Sequence, residues 1–120
     1  MSEAMTVIGW SLRAPSASGG KEYRIMMAEE YVLIGWGSVN GTKQYKVQRF
    51  ASKTAAQAFA VEQTSTKEQG NYTMHDSPKH LTTTEAKREL LDTLLSHRGG
   101  SSALDSSYST LMSRGALLAA

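Results

Sequence analysis

Thr6, Ile8, Trp10 and Leu12 alternate with smaller or polar neighbours, the period-two signature of a strand with one buried face. A second alternation runs from Lys21 to Met27, placing Tyr23, Ile25 and Met27 on one face and Glu22, Arg24 and Met26 on the other. Between them Ala14 to Gly20 has the residues of a loose connection, and no side chain in it stands out as an anchor. Ala28-Glu29-Glu30 is short enough to turn the chain, so Tyr31 to Trp36 is predicted to return antiparallel to the second strand. After the Asn40-Gly41 pair, which tolerates positive φ, alternation resumes from Gln44 to Phe50 through Tyr45, Val47 and Arg49.

The period then changes. Ser52 is a suitable N-cap for a helix from about Lys53 to Gln69, with Ala56, Phe59, Ala60 and Gln63 on one face and Gly70 as its stop. Such a helix covers one sheet face and lays Phe59 across it. Residues 75–81, with Pro78 and few apolar side chains, are read as a linker. Thr82-Thr83-Thr84-Glu85 makes a capping-box sequence, and Leu90, Leu91, Leu94 and Leu95 form one helical stripe before Gly99-Gly100. Leu104, Tyr108, Leu111 and Met112 repeat helical spacing inside a Ser-rich tail, which is read either as a third helix or as disorder. The expected architecture is α+β: an antiparallel sheet of about four strands covered by one helix in residues 1–74, followed by a helical extension over 82–120.

Composition narrows the chemistry. The 120 residues suit one ordinary domain, and aromatic residues cluster before Tyr72. The absence of cysteine removes disulfides, thiolate metal sites and cysteine nucleophiles. No apolar run approaches the roughly 20 residues of a membrane span, and the first ten residues lack the pattern of a signal peptide. A cytoplasmic protein without a membrane partner is expected. The net charge is a mild +2, but Met1 to Phe50 holds six Lys or Arg against four Glu. That excess fits phosphate contact and fits an ordinary solvated surface equally.

The segment Lys21 to Tyr72 resembles a WGR domain, a module named for its Trp-Gly-Arg signature and found in poly(ADP-ribose) polymerases and many bacterial proteins. The resemblance rests on Tyr23-Arg24-Ile25, then Tyr31-Val32-Leu33-Ile34-Gly35-Trp36-Gly37, Gly41, and Gln44 entering the next strand. Phe50-Ala51-Ser52 then precedes an Ala-rich helix with Phe59, and Lys67-Glu68-Gln69-Gly70-Asn71-Tyr72 closes the match. Ser38 stands where the signature arginine is expected, which keeps the scaffold and loses a charge. The resemblance implies a non-catalytic module in which Trp36 contacts the sugar-phosphate chain of DNA near a strand end.

Candidate contacts to nucleic acid are therefore Trp36, Gly37, Ser38, Lys43, Lys46, Arg49 and Tyr72. Each has a second reading: Trp36 and Tyr72 as packed aromatic residues, Ser38 as an ordinary turn residue, and Lys43, Lys46 and Arg49 as solvated charges guarding a sheet edge. Lys46 and Arg49 are expected on opposite faces of their strand. The rival function is a protein-interaction adaptor, with Leu90, Leu91, Leu94 and Leu95 pairing with another protein or a second copy, or docking on the open sheet face. His75, His80 and His97 lack the helical pairing of a zinc site, and no Ser-His-Asp order or glycine-rich phosphate loop occurs. Neither metal, cofactor nor catalytic residue is expected.

Overall fold

The computed structural model describes residues 5–17, 19–41, 43–83 and 101–117. In chain order the elements are β1 (Met5–Ala14), β2 (Lys21–Ala28), β3 (Tyr31–Ser38), β4 (Gln44–Arg49), α1 (Lys53–Gln69), β5 (Thr73–Thr83), α2 (Ser101–Arg114) and β6 (Ala116–Leu117). All strand pairs are antiparallel, and the sheet order is β4-β3-β2-β1-β5-β6. The α+β class and the antiparallel sheet are as expected; six strands replace four, and a second helix packs on the sheet.

The two faces of β2 explain why. Tyr23, Ile25 and Met27 join Trp10, Leu12, Val32, Ala56 and Ala60 in one core beneath α1. Met26 and Ala28, one residue out of phase, join Val7, Leu33, Leu104, Tyr108 and Leu111 in another beneath α2. Consecutive apolar residues on a strand are needed only when both faces are covered. The sheet is thus the middle layer of three, and the tail residues Leu104, Tyr108 and Leu111 form the inner stripe of a helix. Gly9 permits the close approach of that helix, since a Cβ there would stand 2.4 Å from Leu111 Cδ2.

Residues 75–81, expected as a linker, instead belong to β5, which pairs with β1 from Thr73 to Thr83. The register slips between Gly9 and Ser11 and again between Ser11 and Leu12, so β5 carries extra residues opposite β1. Pro78 falls at the first slip, where a missing N–H is tolerated. Asp76, polar yet inward, accepts hydrogen bonds from Ser11 Oγ at 2.9 Å and Tyr108 Oη at 2.8 Å. The connection before β2 is likewise tied: Ser16 Oγ accepts the Gly20 N–H at 3.1 Å, an anchor the sequence reading lacks.

Helix α1 has the expected ends, with the Ala55 N–H bound to Ser52 Oγ at 3.1 Å and Gly70 at the C-cap. Trp10 fastens it to the sheet, its indole N–H donating to Thr64 Oγ1 at 2.8 Å. Thr82 and Thr83, expected to open a helix at the capping box, instead end β5, and the rest of that expected helix, with Leu90, Leu91, Leu94 and Leu95, lies outside the described residues, as does His97.

Candidate functional site

Trp36, two residues before the end of β3, stands directly opposite Tyr23 of β2 on one side and Gln44 of β4 on the other. Period-two alternation puts it on the α1 face of the sheet, but α1 packs chiefly against β1, β2, β3 and β5 and less against β4. Trp36 is therefore 39% exposed, whereas Trp10, under the helix, is 7% exposed. The C-terminal turn of α1 and the residue Tyr72 that follows it close the other side. The result is an open cleft of about 530 Å³ lined by Gly20, Lys21, Tyr23, Trp36, Gly37, Ser38, Lys67 and Tyr72.

Inside it the side chains order one another. Tyr23 and Tyr72 meet edge to face with ring centres 6.2 Å apart. The Lys67 ammonium lies 4.7 Å from the Tyr23 ring centre and 5.4 Å from that of Tyr72, within cation–π range of both. Tyr23 donates its hydroxyl proton to Gln63 Oε1 at 3.2 Å. Burial, helped by Tyr72, raises the Tyr23 pKa, so this hydroxyl is a neutral donor. The lining holds two lysines and no carboxylate.

Four of the sequence candidates, Trp36, Gly37, Ser38 and Tyr72, come together here. Lys46 is exposed on the same face of the sheet, opposite Ile34 and two residues along β4 from the partner of Trp36. Arg49 is elsewhere: it lies five residues along β4 from Gln44, about 17 Å at roughly 3.4 Å per residue, on the other face. It pairs with Glu30 at 3.3 Å and lies over Tyr31 at 5.6 Å.

Lys43 must be set aside as a phosphate contact. It is 3% exposed, and its ammonium donates to the carbonyls of Gly41 at 2.8 Å and Val39 at 3.2 Å, 4.0 Å from Glu22. Burial, with the nearby Arg24 charge, pushes its pKa below the ordinary lysine value. Its side chain folds inward to satisfy loop carbonyls that would otherwise be unpaired. Lys21, Tyr23 and Lys67, absent from the sequence candidates, take its place. Lys67 is distant in sequence from Lys21 and Tyr23 and joins them only because the end of α1 lands beside the start of β2.

Two other regions bear on function. An apolar trough of about 340 Å³ runs between α1 and β5, lined by Ile8, Trp10, Met27, Met74 and Pro78 with Val61 on its rim. On the opposite face a polar network fixes α2. The buried Glu22 carboxylate binds Arg13 at 2.8 Å and Arg24 at 2.5 Å, and Arg24 continues to Asp105 and to the Tyr45 hydroxyl, each at 2.9 Å. Tyr45 donates to Asp105 in turn. Every buried side-chain polar atom among the described residues has a partner. Among the described residues no group of three or more His, Asp or Glu is placed to hold a metal ion.

Comparison with family models, with curated proteins and with solved structures finds no match for this chain.

Proposed function

We propose that this protein is a non-catalytic nucleic-acid-binding module of WGR-like type, engaging DNA backbone or strand ends at the Trp36 cleft. The observation that carries the reading is the cleft's chemistry: an exposed indole, two tyrosines and two lysines, with no carboxylate to repel phosphate. Aromatic faces beside cations are what a strand of stacked bases and phosphates requires. Trp36, Tyr72, Gly37 and Ser38 form the contact surface, Lys21 and Lys67 supply charge, and Lys46 extends the basic track along β4. An intracellular location follows from such a ligand.

Fluorescence anisotropy of labelled blunt, nicked and single-stranded DNA, titrated at several salt concentrations, tests the reading. Saturable binding that weakens with salt is expected, and removing either Lys21 or Lys67 lowers the slope of log K against log salt by about 0.7 to 0.9. No binding at low salt would reject it.

One observation favours a second reading as a protein adaptor. Val61 is 55% exposed and Met74 39% exposed at the apolar trough, on the far side of α1 from the cleft's open edge. Adjacent exposed apolar side chains of this kind suit a protein partner. If DNA binding fails, Val61→Glu and Met74→Glu variants are the probes of that surface.

A further inference from the structure

The cleft contains three aromatic rings, but they are not equally free. Lys67 holds its ammonium over both Tyr23 and Tyr72, at 4.7 and 5.4 Å from the ring centres, and the two rings also meet edge to face. Trp36 differs. Among the described residues no other ring stacks on it, no cation lies over it and its indole N–H has no protein acceptor, in contrast to Trp10, whose N–H is bound to Thr64. One uncovered indole therefore stands beside a cation that the two tyrosines hold in place. Lys21 also lines the cleft, two residues before Tyr23 on β2 and opposite Ser38 in the β2–β3 register.

Resting on the nucleic-acid reading above, we propose that the cleft takes a single unpaired base of a single strand, stacked on Trp36, with the flanking phosphates on Lys21 and Lys67. The step from backbone binding to base binding follows from the ring. An indole face gains little from a phosphate and much from another aromatic plane, while a base inside an intact duplex has both faces covered by its neighbours. One open ring defines one base slot. Two lysines define two phosphates at the slot, so Lys21 and Lys67 together account for about −1.4 of the single-strand salt slope.

The experiment compares an oligodeoxythymidylate with a strand of equal length and charge in which every base is replaced by an abasic spacer, both labelled and titrated by anisotropy at low salt. The base-bearing strand is expected to bind roughly 5- to 150-fold more tightly, the range of one stacked base. Trp36→Ala removes that difference and leaves the salt slope unchanged, Trp36→Phe keeps part of it, and Lys67→Ala reduces the slope. Retained Trp10 fluorescence reports that the Trp36 variants are folded. Equal affinity for the two strands, unaltered by Trp36→Ala, would overturn the base slot and leave backbone binding standing. Absence of binding by both strands would overturn the slot together with the reading it rests on.

Discussion

Arg24 on β2 lies 2.9 Å from Asp105 on α2, and its guanidinium carbon sits 4.4 Å from the centre of the Tyr108 ring on the same helix. One side chain thus joins the sheet to the second helix by charge and by ring contact at once. Replacing Asp105 with Ala leaves the Arg24 guanidinium and the Tyr45 hydroxyl short of an acceptor. A loss of about 1.5 to 3 kcal/mol is predicted in urea unfolding, the range for a hydrogen bond to a charged group, because the pair is only partly shielded from solvent. The double variant Asp105→Ala with Tyr45→Phe should lose less than the sum of the two single changes, since both act in one network.

Gly35 stands opposite Tyr45 in the β3–β4 register, and a Cβ at that position would lie 2.4 Å from the tyrosine ring. The ring cannot swing aside without leaving Arg24 and Asp105. Gly35→Ala is predicted to destabilise the fold by about 1 to 3 kcal/mol through this overpacking. In the Tyr45→Phe background, where the ring is released from its polar partners, the penalty should shrink. A cost that is the same in both backgrounds would contradict the assignment.

Alkaline pH should unfold the protein through its tyrosines. Burial and the hydrogen bond to Asp105 raise Tyr45 above its ordinary pKa of 10.0, and burial also raises Tyr108. The folded state therefore holds these protons where the unfolded chain releases them. Their stabilising contribution is complete below pH 10 and falls as pH rises beyond it. Lys43, whose pKa is lowered, acts with the opposite sign as it deprotonates in the folded state first. The difference between the parent and Tyr45→Phe isolates the tyrosine: the variant should show a shallower decline of stability with pH above about 10.

Lysines of the basic half divide by location. Lys43→Ala should lower stability, because the Val39 and Gly41 carbonyls lose their donor and Glu22 loses a cation. It should leave the salt dependence of DNA binding unchanged in the folded fraction. Lys21→Ala should do the reverse. Thermal unfolding and the salt slope, measured on both variants, check the division; a reduced slope in Lys43→Ala would contradict it.

Much of this fold is visible in the residue pattern, for physical reasons that differ by element. Helix α1 is framed by Ser52 and Gly70, whose capping chemistry is local, so its bounds can be read directly. Strand β5 cannot, because what makes it a strand is remote: Asp76 is satisfied by Ser11 and Tyr108, and Pro78 is accommodated by a register slip against β1. The second helical layer was signalled by Met26-Met27-Ala28 and Val32-Leu33, runs too apolar for a sheet with one wet face. At the cleft, Trp36 and Tyr72 are identifiable from their resemblance to a known pattern. Lys67 is not, because its role arises from where the last turn of a helix meets two rings. Lys43 misleads for a related reason: a flexible four-carbon stem lets a loop lysine turn inward to carbonyls.

The central prediction is that nucleic acid meets this protein at the Trp36 cleft. Amide chemical-shift mapping of isotope-labelled protein, titrated with a short single-stranded oligonucleotide at low salt, measures that position directly. The predicted result is a contiguous set of shifts at Gly20, Lys21, Gly37, Ser38, Lys67 and Tyr72 that in Trp36→Ala appears only at higher oligonucleotide concentration. Shifts confined to the trough around Val61 and Met74, or none at all, would contradict it.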